Sequence, residues 1–239
     1  MWNSASLFGS AAARTLSLLM VVVAGVAATP AYAGIYNEVG DAGQTQATAQ
    51  STTGGSGALT NIRGSLLSSH DADLYVIYIS NPGTFSASTV NATGGFLDTQ
   101  LFLLTLAGAP IILNDDAAGG LSLLSTLPAG SASSLAAGFY ILGISMSGYD
   151  PINSVSQLLF AAGLSTDLRG PASGLQPGVL GGFFDSTFFN DRGNYDIVLT
   201  GARAAIPEPG TGALVLLGIA ICAFATSRRR RSLSPPSSI

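Results

Sequence analysis

Six oxygen-bearing side chains give this chain most of the chemistry it can offer between its two apolar ends. Asp71 and Asp73 stand two apart where a strand-like run begins, Asp98 precedes a second run, and Asn114, Asp115 and Asp116 follow a third. Oxygen-only ligands on loops suit calcium, which takes about six to eight oxygens in flexible geometry, better than zinc or copper. Carboxylates gathered at one end of a sheet would repel one another, and a divalent cation would relieve that repulsion. The same residues have a plainer use, because Asp and Asn cap turns through their own backbone hydrogen bonds. An EF-hand is excluded, since Asp71-Ala72-Asp73 lacks that loop's glycine and distal glutamate.

Catalytic chemistry has little to work with. His70 is the one histidine. Triad partners meet in space rather than in sequence, but the Gly-x-Ser-x-Gly elbow is missing, and a turn histidine without a catalytic role is the expectation. The single tryptophan, Trp2, lies in the leader, so the core has no tryptophan platform for a sugar. The chain is expected not to be an enzyme.

Charge and thiol content narrow the partners. All nine basic residues are arginines, and only 9% of the 239 residues are charged. Between Gly34 and Pro209 lie all thirteen acidic residues and four arginines (Arg63, Arg169, Arg192, Arg203), a net charge of −9. Such a surface repels nucleic acid and anionic lipid. Cys222, the one cysteine, falls in the C-terminal apolar stretch, which removes disulfides and thiolate metal sites from the core.

The elements that must position the acidic residues read as strands. Residues 40–58 are small and polar, and 34–58 is expected to be a flexible lead-in. From Leu59 onward short apolar or alternating runs at 59–67, 73–80, 84–91, 98–106, 109–114, 121–127, 138–146, 154–160 and 194–201 are separated by turn signals such as Asn81-Pro82-Gly83. Spacing of this kind predicts an all-β domain over 59–203: two packed antiparallel sheets forming a β-sandwich. The stretch from Gly163 to Arg192, rich in Gly and Pro and carrying Phe183, Phe184, Phe188 and Phe189, is expected to fold over a sheet or an end of that sandwich, with the aromatics packed rather than displayed.

The ends are addresses. In residues 1–33, Arg14, the apolar stretch Leu16 to Ala28, and Ala31-Tyr32-Ala33 follow the order of a secretory signal with its small-x-small cleavage site at Ala31 and Ala33. At the other end, Pro207-Glu208-Pro209 precedes an uncharged stretch from Thr211 to Ser227, which is close to the lower limit for a transmembrane helix. Arg228, Arg229, Arg230 and Arg231 then hold that end in the cytoplasm, with the core on the far side of the membrane. Residues 232–239 are expected to be a disordered tail. The segment 204–231 resembles the PEP-CTERM sorting signal of Gram-negative bacteria. That resemblance implies recognition by an exosortase, a membrane cysteine transpeptidase-like enzyme, and removal of the tail near the motif. The protein would pass signal peptidase, the Sec machinery and the inner membrane before reaching the cell surface or an extracellular matrix.

The core resembles the bacterial pre-peptidase C-terminal domain. The pieces that carry the likeness are Asp71-Ala72-Asp73-Leu74-Tyr75, Asp98-Thr99-Gln100-Leu101-Phe102-Leu103, Asn114-Asp115-Asp116, Gly138-Phe139-Tyr140, and the late Gly193-Asn194-Tyr195-Asp196-Ile197-Val198-Leu199. It implies a small jelly-roll-like sandwich without catalytic residues of its own, some members of which bind calcium. The expectation from sequence is a non-catalytic exported surface or matrix protein with a structural or adhesive sandwich, calcium among its possible ligands and exopolysaccharide among its possible partners. The alternative is a secreted hydrolase or carbohydrate-binding module using the acidic loops.

Overall fold

In Asp73 to Ile79 polar, apolar and aromatic residues follow one another without a helical period, and β-branched and aromatic side chains favour extended backbone. The computed structural model describes residues 34–54, 57–93, 97–119, 122–175, 178–186 and 192–207. All secondary structure among them is strand. In chain order the first strands are β1 (Gly34–Asn37), β2 (Gln50–Ser51), β3 (Thr53–Gly54), β4 (Leu59–Leu66), β5 (Ala72–Ile79), β6 (Ser86–Thr93), β7 (Thr99–Thr105) and β8 (Pro110–Asn114). They are followed by β9 (Thr126–Leu127), β10 (Gly138–Met146), β11 (Tyr149–Ile152), β12 (Gly182–Asp185), β13 (Gly193–Thr200), β14 (Ala202–Ala204) and β15 (Ile206–Pro207).

One sheet runs β1-β4-β13-β6-β9; the other runs β14-β5-β10-β7-β8, with β2 also on β5. The chain crosses between the two at almost every step from β4 to β10, a winding like that of a jelly roll. The pairing is mixed rather than purely antiparallel: β1 on β4, β2 on β5 and β15 on β3 are parallel. All three parallel pairs involve the segment that its composition marked as a flexible lead-in. It packs because its ends lie along β4 and β5, Tyr36 and Ala42 enter the inner core, and side chains such as Gln46 and Gln50 bond the backbone around them. Two other expected strands differ. Only Thr126–Leu127 of 121–127 pairs, and 154–160 holds isolated bridges at Leu158 and Phe160 in place of a strand. The signal segment, the spanning segment, the arginine cluster and the tail lie outside the described residues.

Side-chain alternation builds two layers. Tyr75, Ile77 and Ile79 of β5 and Leu142 and Ile144 of β10 face inward and meet Ile62, Leu66, Ile197 and Leu199 of the opposite sheet in one buried cluster. The alternate residues Leu74, Phe102, Leu104 and Ile141 form a second cluster on the outer face, covered by Leu159, Phe160 and Leu180. Both faces of this sheet are covered over most of their length, so its strands read as nearly continuous apolar runs. Leu180 of this cover belongs to the Gly163–Arg192 stretch expected to fold over a sheet, whereas Leu159 and Phe160 come from the run expected to be a strand. Phe183 stacks on Tyr149 at 5.1 Å and sits 6.0 Å from Phe102, whereas Phe184, its neighbour on the other side of β12, is 54% exposed.

Candidate functional site

Asp73 faces the same way as Tyr75 and Ile77, into the sandwich, and is 0% exposed. Tyr195, from β13 of the other sheet, donates its hydroxyl to Asp73 Oδ2 at 2.6 Å and also bonds the hydroxyl of Tyr75. Glu38, just past β1, completes the group. Its amide donates to Arg63 O at 2.8 Å, and its carboxylate accepts from Ala42 N at 3.0 Å and Ser65 N at 2.9 Å. Gly64 makes room: a Cβ there would lie 2.3 Å from Tyr195 Oη and 2.6 Å from Glu38 Oε2. Asp41, whose Oδ1 caps Gly43 N at 3.0 Å, stands on the exposed side of the group. One oxygen from each of Glu38, Asp41 and Asp73 lies within 4.8 Å of the others.

Burial, before anything else, pushes the Asp73 carboxyl up to about 8. The Tyr195 hydrogen bond works against that shift, and the charges of Glu38, Asp71 and Asp41 add to it. Burial also raises Glu38, against the two backbone amides on it, and raises the Tyr75 and Tyr195 hydroxyls. Arg63, the nearest arginine in sequence, is turned to Asp196 at 2.8 Å. Asp73 Oδ1 is buried with no hydrogen bond donated to it, and the Glu38 carboxyl, which lies against Asp73, supplies one only if a proton is present. A shared proton or a cation would each relieve the crowding of these carboxyls. A donor set made only of carboxylate and hydroxyl oxygens fits calcium.

The other acidic residues singled out from sequence sit along the same end of the sheet but do not converge on one point. Strands β10, β7 and β8 follow β5 in the sheet, at about 4.8 Å per step, so Asn114, level with Asp73 through Leu101 and Ile144, lies roughly 14 Å from it, too far for one ion's shell. Asp71 is a turn cap: its Oδ2 accepts from Leu67 N at 2.6 Å, and burial raises its carboxyl. Asn114 spends both ends of its amide, accepting from Thr126 N at 2.8 Å and donating to Asp167 O at 3.3 Å. Asp98 receives Ser147 N on its backbone oxygen at 2.9 Å. Asp115 is pushed up to about 6, mainly by burial, against a hydrogen bond from Ser147 and the charge of Arg169. Asp116 anchors its turn through its own amide to Ser165 O at 2.8 Å. Beside Asp115 the Arg169 guanidinium already supplies positive charge, whereas Arg63, the arginine next to the group around Asp73, is paired with Asp196. Glu38 and Asp41 were missed because they lie in the supposed lead-in. The signal was Glu38-Val39-Gly40-Asp41, two carboxylates three apart around a glycine whose φ is +70°.

His70 sits between two oxygen atoms: Ser69 Oγ lies 3.2 Å from Nδ1 and Asp185 Oδ2 lies 2.8 Å from Nε2. Its ring meets Tyr149 edge-on at 5.7 Å. On the other sheet, a groove of about 560 Å3 lined by Arg63, Asn194 and Asp196 opens beside Glu38 and Tyr195.

An all-β sandwich with a carboxylate cluster at one end, held by main-chain bonds rather than disulfides, is the class of domain found here. Residues 205–231 match the PEP-CTERM protein-sorting motif. The protein is therefore an exported one that transits the membrane and is sorted by an exosortase-type enzyme. The match covers the tail and leaves the sandwich unassigned. No curated protein matches the chain.

Proposed function

We propose that the protein is a non-catalytic component of the cell surface or extracellular matrix, a structural or adhesive sandwich of the pre-peptidase C-terminal kind that is stiffened by calcium at Glu38, Asp41 and Asp73. The observation that supports calcium is Asp73: a buried carboxyl with one oxygen lacking a donor, facing Glu38, while the arginine next to the group, Arg63, is paired with Asp196. The ion would tie the segment after β1 to β5 and so fasten the start of the exported chain to the core.

Thermal unfolding of residues 34–207 in chelator and at rising calcium tests this, because an ion that binds only the native state raises its stability with concentration. At a hundredfold excess over its dissociation constant the gain is about 2.7 kcal/mol. Glu38→Gln abolishes the rise, and Asp115→Asn with Asp116→Asn leaves it. A melting curve indifferent to calcium, in a domain that folds, sinks the metal reading. A second reading, a secreted hydrolase, draws on Ser69 and Asp185 at opposite nitrogens of His70. A hydrolytic activity of the exported protein that disappears in His70→Ala would favour it over the structural role.

A further inference from the structure

The first residues of the sorting segment are part of the folded sandwich. β14 pairs with β5, putting Ala202 opposite Ile79 and Ala204 opposite Ile77. Arg203 bridges to Ala58 and lays its guanidinium 4.9 Å from the centre of the Tyr78 ring. Ala205, where the sorting match begins, donates its amide to Thr52 Oγ1 at 3.0 Å. Thr52 is 0% exposed and is fixed in turn by bonds from its amide and its hydroxyl to Val76 O. β15 then runs parallel to β3, with Ile206 opposite Thr53 and Pro207 opposite Gly54. Pro207 is also the first residue of Pro207-Glu208-Pro209, so no spacer separates the fold from the motif.

An enzyme that attacks a peptide carbonyl needs an extended stretch of free chain to enter its groove, and backbone already paired in a sheet is withheld until it opens locally. We infer that β15 docked on β3 masks the sorting site, and that the exosortase acts on a form in which residues 205–207 have peeled from the sandwich while the rest stays folded. This rests on the reading of the tail as an exosortase signal. Where opening and closing are fast relative to cleavage, the processing rate follows the open fraction. The sandwich edge that covers the site, with Thr52 as its anchor, then sets how quickly the tail is removed.

The full chain expressed in a host carrying its exosortase provides the test, with conversion of the full-length to the shortened form followed by pulse-chase. Thr52→Val keeps the shape but loses the hydroxyl's bonds to Ala205 N and Val76 O, while Val76 O retains the Thr52 amide. Its processing is expected to be up to about tenfold faster, the equivalent of roughly one net hydrogen bond. Ile112→Val trims the core on β8, away from β15, and is expected to leave the rate at the wild-type value. Thr53→Cys with Ile206→Cys, in a Cys222→Ser background, joins register partners and is expected to stop processing until reductant is added. A wild-type rate in Thr52→Val overturns the proposal, as does an equal acceleration in Ile112→Val or undiminished processing of the crosslinked chain. If the wild-type tail is never removed, it is the sorting reading that fails, and the two failures are distinguishable.

Discussion

Replacing Asp73 by asparagine should remove an unusual gain of stability in acid. Burial holds the Asp73 carboxyl at about 8 in the native state, against an ordinary value of 3.8. Between those two pH values the native state binds a proton that the unfolded state has released, so unfolding free energy falls as pH rises. Stability from this group is complete below the ordinary value and gone once pH passes about 8. The slope is about 1.4 kcal/mol per pH unit, so moving from pH 5 to pH 7 without metal costs about 3 kcal/mol, or roughly 6–12 °C in melting temperature. The side chain is fully buried, so solvent screening does not dilute the effect. Asp115, pushed up to about 6, adds a loss of the same sign at the acid end of the range. In Asp73→Asn the side-chain amide would mimic the protonated acid, still accepting from Tyr195 and donating toward Glu38. Urea unfolding of residues 34–207 in chelator at pH 5, 6 and 7 should therefore show the variant with a slope shallower by about 1.4 kcal/mol per unit. Parallel pH profiles for the two proteins would refute the buried-proton argument. Saturating calcium should flatten the wild-type profile, because the ion favours the ionised form.

Two glycines and the tail each give a further outcome. Gly64→Ala drives a methyl to within 2.3 Å of a Tyr195 hydroxyl that is held by Asp73 and Tyr75, and should cost about 1–3 kcal/mol in urea unfolding while removing the response to calcium. Gly143→Ala places a methyl 2.1 Å from the Phe102 ring and 2.8 Å from Leu74, and should cost at least a comparable amount, about 1–3 kcal/mol, with the calcium response intact in protein that still folds. The intact mass of the surface form should lack Arg228 to Arg231; a mass that includes them would contradict tail removal.

Strand content was legible because apolar runs of strand length alternate with glycine- and asparagine-rich turns, and eight of the observed strands coincide with or overlap those runs. Residues 34–54 were opaque for a physical reason. They bring few large side chains and are ordered by short strand pairings, by Tyr36 and Ala42 in the core, and by side-chain bonds of Glu38, Gln44, Gln46 and Gln50, most of them to residues distant in the chain, which leaves no periodic mark. The same holds for β14 and β15, where Arg203 and Ala205 are fixed by Ala58 and Thr52, far away in sequence. Of the six acidic and amide residues proposed from spacing, Asp73 enters the converging group. Asp71 and Asn114 are bonded into turns, as the plainer use of such residues allows.

What the sequence determined by itself was the strand-rich class, the absence of disulfide chemistry from the core, and the sorting signal that marks the protein for export. Each of these is written in local composition: alternation, the position of one cysteine, and a tail of motif, apolar stretch and arginines. Which carboxylates meet was decided only by tertiary structure. Glu38 and Asp73 are 35 positions apart, on segments bound to opposite sheets, and Tyr195 reaches them from a strand near the chain's end. Their meeting depends on strand order, on parallel pairing of β1 with β4, and on the missing side chain at Gly64, none of which has a local signature. The ionisation of Asp73 is decided there as well, because burial rather than residue type sets the cost of its charge.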